Sequence, residues 1–149
     1  MAGTEELDVV IVGAGISGIS MAHQLGLDHP GLSYAILENR ERIGGTWDLF
    51  RYPGIRSDSG MGTFAFSFRP WTGEKHFGKG GEIRDYLEET AAEFGIDRHI
   101  RFRQRVIAAD WDSTAARWTV TAQSTAGMES ASSGESSGSS TQIRCRFLI

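Results

Sequence analysis

Gly13, Gly15 and Gly18 form the pattern G-x-G-x-x-G, and Glu38 stands 20 residues beyond the last of them. In such a pattern the first glycine permits a tight turn, the second lets backbone approach a pyrophosphate, and the third lets a helix pack closely on a strand. An acid at that distance suits the hydroxyls of a ribose, and each hydrogen bond to a charged carboxylate contributes roughly 1.5–3 kcal/mol. Gly44 and Gly45 then complete E-x-x-x-x-x-G-G with Glu38. A second glycine turn so soon after the acid points to a cofactor larger than a nicotinamide dinucleotide. Further on, Tyr52-Pro53-Gly54 is a turn signal, and Asp58 follows it in a loop that would lie near the ligand-binding edge of an open sheet. There the carboxylate could hook a cofactor amide, pair with an arginine, or simply face solvent.

These residues need a scaffold of strands and helices, and the pattern around them supplies one. Leu7 to Val12 is short, apolar and β-branched and runs straight into Gly13, which predicts a buried parallel strand. A helix opening at the fingerprint would aim unpaired N–H groups and the positive end of its dipole at phosphates. Ile16, Ile19, Ala22 and Leu25 recur at helical spacing, and Asp28-His29-Pro30-Gly31 ends the helix. Tyr34 to Leu37 predicts the next strand, with Glu38 at its end. Ile83, Tyr86, Leu87, Ala91 and Phe94 predict a second amphipathic helix stopped by Gly95. Arg101 to Trp111 and Arg117 to Gln123 read as a hairpin about Asp112 to Ala116, with Trp111 and Trp118 packing a small sheet. Residues 124–141 are low-complexity Ser/Gly sequence, expected to form a flexible loop tip, and Ile143 to Ile149 returns to strand character. His23 and His29 are expected to face solvent, and His76 and His99 receive no role. Cys145, the one cysteine, reads as a small buried hydrophobe in a strand.

The combination of GAGISG, Glu38, GGTW at Gly44 to Trp47 and RYPGIRSD at Arg51 to Asp58 resembles the flavin-dependent monooxygenases of the Baeyer-Villiger type, its actinobacterial members most nearly. The similarity runs from Leu7 through Trp118 and resumes at Arg146. The resemblance implies that Gly13, Gly15, Ser17 and Gly18 surround the FAD pyrophosphate and that Glu38 holds the adenosine ribose. It also implies that Gly45, Thr46, Trp47, Asp48 and Leu49 run along the flavin, with Trp47 near the ring system. Arg56, Ser57 and Asp58 would sit where the nicotinamide end of NADPH meets the flavin, Asp58 in the catalytic role, and Val106 would offer backbone to the adenine. Gly60 and Gly62 depart from the family pattern, which has an acid and an aromatic residue there, and Phe64 replaces a tyrosine of more distant members. The implied reaction is NADPH- and oxygen-dependent, with a peroxyflavin inserting oxygen beside a ketone or oxidising sulfur or nitrogen.

The expected fold class is α/β, a Rossmann-like FAD-binding three-layer fold with a small antiparallel β excursion, incomplete at its C-terminal end. Residues 1–149 would be the N-terminal part of an FAD-binding domain, with the NADPH domain absent. On its own the chain is expected to be inactive. Two alternatives stand beside this reading: a catalytically inactive FAD-binding module, and an NAD-binding Rossmann protein of another oxidoreductase class. A net charge of −4 without a basic stripe argues against nucleic acid as a partner. The expected partner is a small organic ketone, thioether or thioamide. No apolar run is long enough to span a bilayer, and the cysteine count suits a reducing compartment, so a cytoplasmic location is expected, with room for peripheral membrane association. No metal site is expected.

Overall fold

A computed structural model describes residues 4–126 and 139–149. Six strands form one mixed sheet in the order β3-β2-β1-β6-β5-β4. β1 (Glu5–Val12), β2 (Tyr34–Leu37), β3 (Ile100–Arg101) and β6 (Ser140–Leu148) run parallel, while β5 (Arg117–Ser124) and β4 (Gln104–Asp112) continue the sheet antiparallel. Two helices carry the expected apolar stripes: α1 (Ile16–Asp28) and, after two short ones, α4 (Gly80–Glu93). The short ones are α2 (Thr46–Leu49) and α3 (Met61–Phe64), and a 3₁₀ turn, Asp97–His99, leads into β3.

The strands alternate, so the two faces of β1 feed two cores. Val9 and Ile11, with Ile36 of β2, meet Ile19, Ala22 and Leu25 of α1 and Ile83, Leu87 and Ala91 of α4. Each fully buried Val, Ile or Leu side chain among them stabilises the fold by about 1.5–3 kcal/mol. Val10 and Leu37 face the other way and join Val120, Ala122, Ile143 and Cys145 in a cluster that draws on no helix. That face is closed by the sheet curling over itself. The amide of Gln104, at the start of edge strand β4, donates to the Glu38 carbonyl at 2.9 Å. The antiparallel strands therefore form the third layer of the expected three-layer fold. Burial pushes the Cys145 thiol pKa up, as befits an inert core residue.

Three local expectations are revised. The run Arg101 to Trp111 is two strands, because Arg103 takes φ 56°, a left-handed turn that separates β3 from β4. β5 and β6 reach further into the Ser/Gly stretch than composition suggested, pairing Gln123 with Ser140. The rest of that stretch, residues 127–138, lies outside the described residues. His23 does not face solvent: its ring stacks on Phe68 at 3.6 Å and meets the edge of Phe94 at 4.6 Å. Trp111 and Trp118 do pair across β4 and β5, with ring centroids 5.3 Å apart.

Candidate functional site

β1 delivers the chain to Gly13, whose amide donates to the Leu37 carbonyl at 2.9 Å and ties the ends of the two central strands together. Gly13 has φ 99°, a backbone conformation side chains avoid. A Cβ at Gly18 would lie 2.0 Å from the Gly13 carbonyl oxygen, so the helix seats on the loop only because that position is glycine. Gly15 caps α1 without a side-chain hydrogen bond, which leaves the first-turn amides available to an incoming acceptor.

The second glycine turn comes to meet the first. The Gly44 amide donates to the Ala14 carbonyl at 3.1 Å, and a Cβ at Gly45 would lie only 3.1 Å from the Gly15 Cα. Gly45 itself has φ 53°. Between the turns is a cleft of about 240 Å³ lined by Gly13, Gly15, Ser17, Gly18, Gly45, Thr46 and Trp47 among others. Trp47 is braced edge-to-face by Phe64, with centroids 5.7 Å apart.

Glu38 is 5% exposed and its carboxylate grips the backbone of the first glycine turn. Its Oε2 accepts from the Ala14 amide at 2.7 Å and its Oε1 from the Arg40 amide at 2.8 Å. Each oxygen keeps a further lone pair for a hydroxyl donor. Asp48 and Leu49 do not line the cleft. The Asp48 carboxylate turns inward to Arg40 and Arg51, with Arg84 of α4 at 3.9 Å. Burial pushes its pKa upward, but the hydrogen bonds and charges of Arg40 and Arg51 outweigh burial and hold it below the ordinary value. These three arginines were not singled out from sequence. Val106 lies on β4 beside an irregularity in strand pairing, two positions beyond the Gln104 that bonds the Glu38 carbonyl.

Arg56, Ser57 and Asp58 fall in a separate groove of about 400 Å³, shared with Tyr52, Gly54 and Phe77. Ser57 is 2% exposed and spends its hydroxyl on the loop itself, accepting from the Gly78 amide at 3.2 Å. Arg56 joins the wall by a backbone bridge to Lys79. The Arg56 and Asp58 side chains are exposed and make no ion pair among the described residues. Gly60, the departure from the family pattern, is filled in another way: a Cβ there would lie 2.6 Å from the His76 ring. Among the described residues no group of three His, Cys, Asp or Glu side chains could hold a metal ion, and no helix is long and apolar enough to cross a membrane.

Residues 11–89 match the family described as an NAD(P)-binding Rossmann-like domain. The chain belongs to that Rossmann-like family. Over 98% of its length this Rossmann-like chain is 55% identical to the FAD-containing monooxygenase EthA of Mycobacterium tuberculosis, of which it covers 27%. Among solved structures it is similar to an oxidized steroid monooxygenase bound to NADP, at 33% identity and TM-score 0.79, covering 96% of this chain and 25% of that one. It is also similar to cyclohexanone monooxygenase from Rhodococcus sp. Phi1 bound to NADP+, at 27% identity and TM-score 0.81, covering 98% and 25%. The chain thus spans about a quarter of the length of the relatives it matches. The fold class and the resemblance to flavin-dependent monooxygenases are both borne out.

Proposed function

We propose that this chain is the FAD-binding N-terminal portion of an NADPH- and oxygen-dependent flavin monooxygenase. The observation that carries the reading is the meeting of two glycine turns over one cleft, with a buried carboxylate anchored to the backbone of the first turn. Among the described residues the space between the turns is an open cleft, and the amides opening α1 supply the donors a diphosphate requires. The residues therefore fit an adenine dinucleotide. When bound, FAD supplies two-electron redox chemistry and the activation of dioxygen.

The chain's own contribution is binding and orientation. Gly13, Gly15, Ser17 and Gly18 cradle the diphosphate, and Glu38 accepts from the ribose hydroxyls. Gly45, Thr46 and Trp47 wall the cleft toward the flavin, with Asp48 and Leu49 completing α2 behind them, and Val106 offers backbone on the adenine side. Arg56, Ser57 and Asp58 form the groove that receives the nicotinamide end of NADPH, where Asp58, a free carboxylate, accepts from the amide. Substrates are small organic molecules, ketones, thioethers or thioamides, and the single cysteine favours a reducing cytoplasmic compartment. The 149 residues alone hold FAD without turning over substrate.

Purification of the chain and an absorption spectrum test the reading directly. A retained flavin spectrum, with FAD bound more tightly than NAD in calorimetry, is the expected result; preference for NAD would overturn it. Steady NADPH oxidation coupled to oxygenation of a ketone or thioether by the isolated chain would defeat the claim that it is inactive alone.

A further inference from the structure

Asp48 was expected to touch the cofactor, yet its carboxylate is 2% exposed and faces away from the cleft into a nest of arginines. Arg40 donates from Nε to Asp48 Oδ2 at 2.7 Å and from Nη2 to the Asp48 carbonyl at 3.3 Å. Arg51 binds the other carboxylate oxygen and the same carbonyl, the latter at 3.0 Å. The Asp48 amide in turn donates to the Gly45 carbonyl at 3.1 Å, and the Arg40 amide donates to Glu38 Oε1 at 2.8 Å.

These bonds close a circuit. From the Ala14 amide it passes to Glu38, then through Arg40 to Asp48, back along α2 to Gly45, and across to Gly15, which Gly45 touches. Every part of the circuit except Arg40 and Asp48 belongs to the cradle itself. The packing is close there as well: a Cβ on Gly44 would lie 3.0 Å from the Asp48 Cβ.

We propose that Asp48 is the positioning residue of the cradle: by holding Arg40 and the turn into α2, it sets both the direction of the Glu38 carboxylate and the gap between the two glycine turns, without touching the dinucleotide. The inference rests on the FAD reading for its consequence but not for its geometry. The guanidinium groups of Arg40 and Arg51 are 35% and 59% exposed at the side chain, so on losing the carboxylate they swing into water, while Arg84, 21% exposed and the most distant of the three at 3.9 Å, keeps Asp85 at 3.6 Å. The damage from Asp48→Asn therefore falls on the cradle and not on the fold as a whole.

Residue-resolved amide hydrogen exchange on the FAD-free chain, followed by FAD titration, tests this. Asp48→Asn is expected to speed exchange at the Arg40 and Ala14 amides about tenfold while leaving Val120 and Ile143 in the sheet unchanged. It is also expected to weaken FAD about tenfold, and Asp48→Asn combined with Glu38→Gln to weaken it little more than Glu38→Gln alone, since both cut one circuit. Unchanged exchange at Arg40, a uniform acceleration across the sheet, or additive losses of affinity would each overturn the proposal. Should Asp48→Asn fail to fold, Arg40→Gln cuts the same link from its exposed side and is read in the same way. If the unmodified chain takes up no FAD, the cofactor reading fails while the exchange measurement still decides the role of Asp48.

Discussion

Two depressions of this molecule, the glycine cleft and the Tyr52–Phe77 groove, are built on opposite plans. The glycine cleft is closed on itself: Glu38 is held by two backbone amides, the turns brace each other, and Asp48 is locked among arginines. The Tyr52–Phe77 groove has a tied backbone, through Ser57 and Gly78, but presents Arg56 and Asp58 with no ion pair among the described residues. A tightly held cofactor calls for a preorganised cradle, because ordering costs are then met in folding and not in binding. A groove for a second, exchanging ligand gains by keeping its charged groups free until that ligand arrives. Stability and affinity should accordingly be coupled at the first site and separable at the second.

The largest effect is expected at Gly18. A methyl group there would overlap the Gly13 carbonyl, a backbone atom that cannot move without shifting β1. Gly18→Ala should lose upward of about 3 kcal/mol of stability and all FAD binding together. Urea unfolding monitored by circular dichroism checks it, and a near-native midpoint would mean that the helix is not seated as described.

Next comes Glu38. Glu38→Ala removes the expected acceptor for the ribose and strands the Ala14 amide, so FAD affinity should fall by about 2–4 kcal/mol. Calorimetry showing unchanged affinity would take Glu38 out of the site and with it the claim that the cradle is complete before the ligand binds.

A smaller effect concerns pH. The folded-state pKa of Asp48 lies below its ordinary 3.8, so the unfolded chain binds the proton more readily. The contribution of the carboxylate is therefore fully present above about pH 4 to 5 and is lost as pH falls through the depressed folded value. Removing it with Asp48→Asn should flatten the acid limb of the free energy of local opening at the Arg40 and Ala14 amides. Amide exchange at several pH values, corrected for intrinsic rates, reads this out, and an unchanged acid limb would argue that the arginine nest does no electrostatic work.

The contrast also explains what could be read from the sequence. The first cleft was legible because its parts are short-range: covalent spacing places Gly13, Gly15 and Gly18 in one turn, and β2 ends at Leu37 with Glu38 next. The arginines around Asp48 were not legible, since Arg84 arrives from α4 and no local pattern pairs the two. His23 was misread for the same reason, its partners Phe68 and Phe94 being distant in sequence. The break between β3 and β4 escaped notice because a left-handed Arg103 leaves no mark in strand propensity. The curl of the sheet that buries Val10 and Cys145 is likewise a property of long-range pairing.

The smallest expected effect sharpens the comparison most. Asp58 is exposed and makes no ion pair among the described residues, so Asp58→Ala should change stability by less than about 0.5 kcal/mol and leave FAD affinity untouched. If the groove receives the nicotinamide, the loss appears only when flavin in the full-length relative carrying the same change is reduced by NADPH, followed by anaerobic stopped flow. Normal reduction would return Asp58 to the solvated surface. A drop in FAD affinity would be just as informative, because it would join the two depressions into one site and dissolve the division between a cradle finished in folding and a groove finished by its ligand.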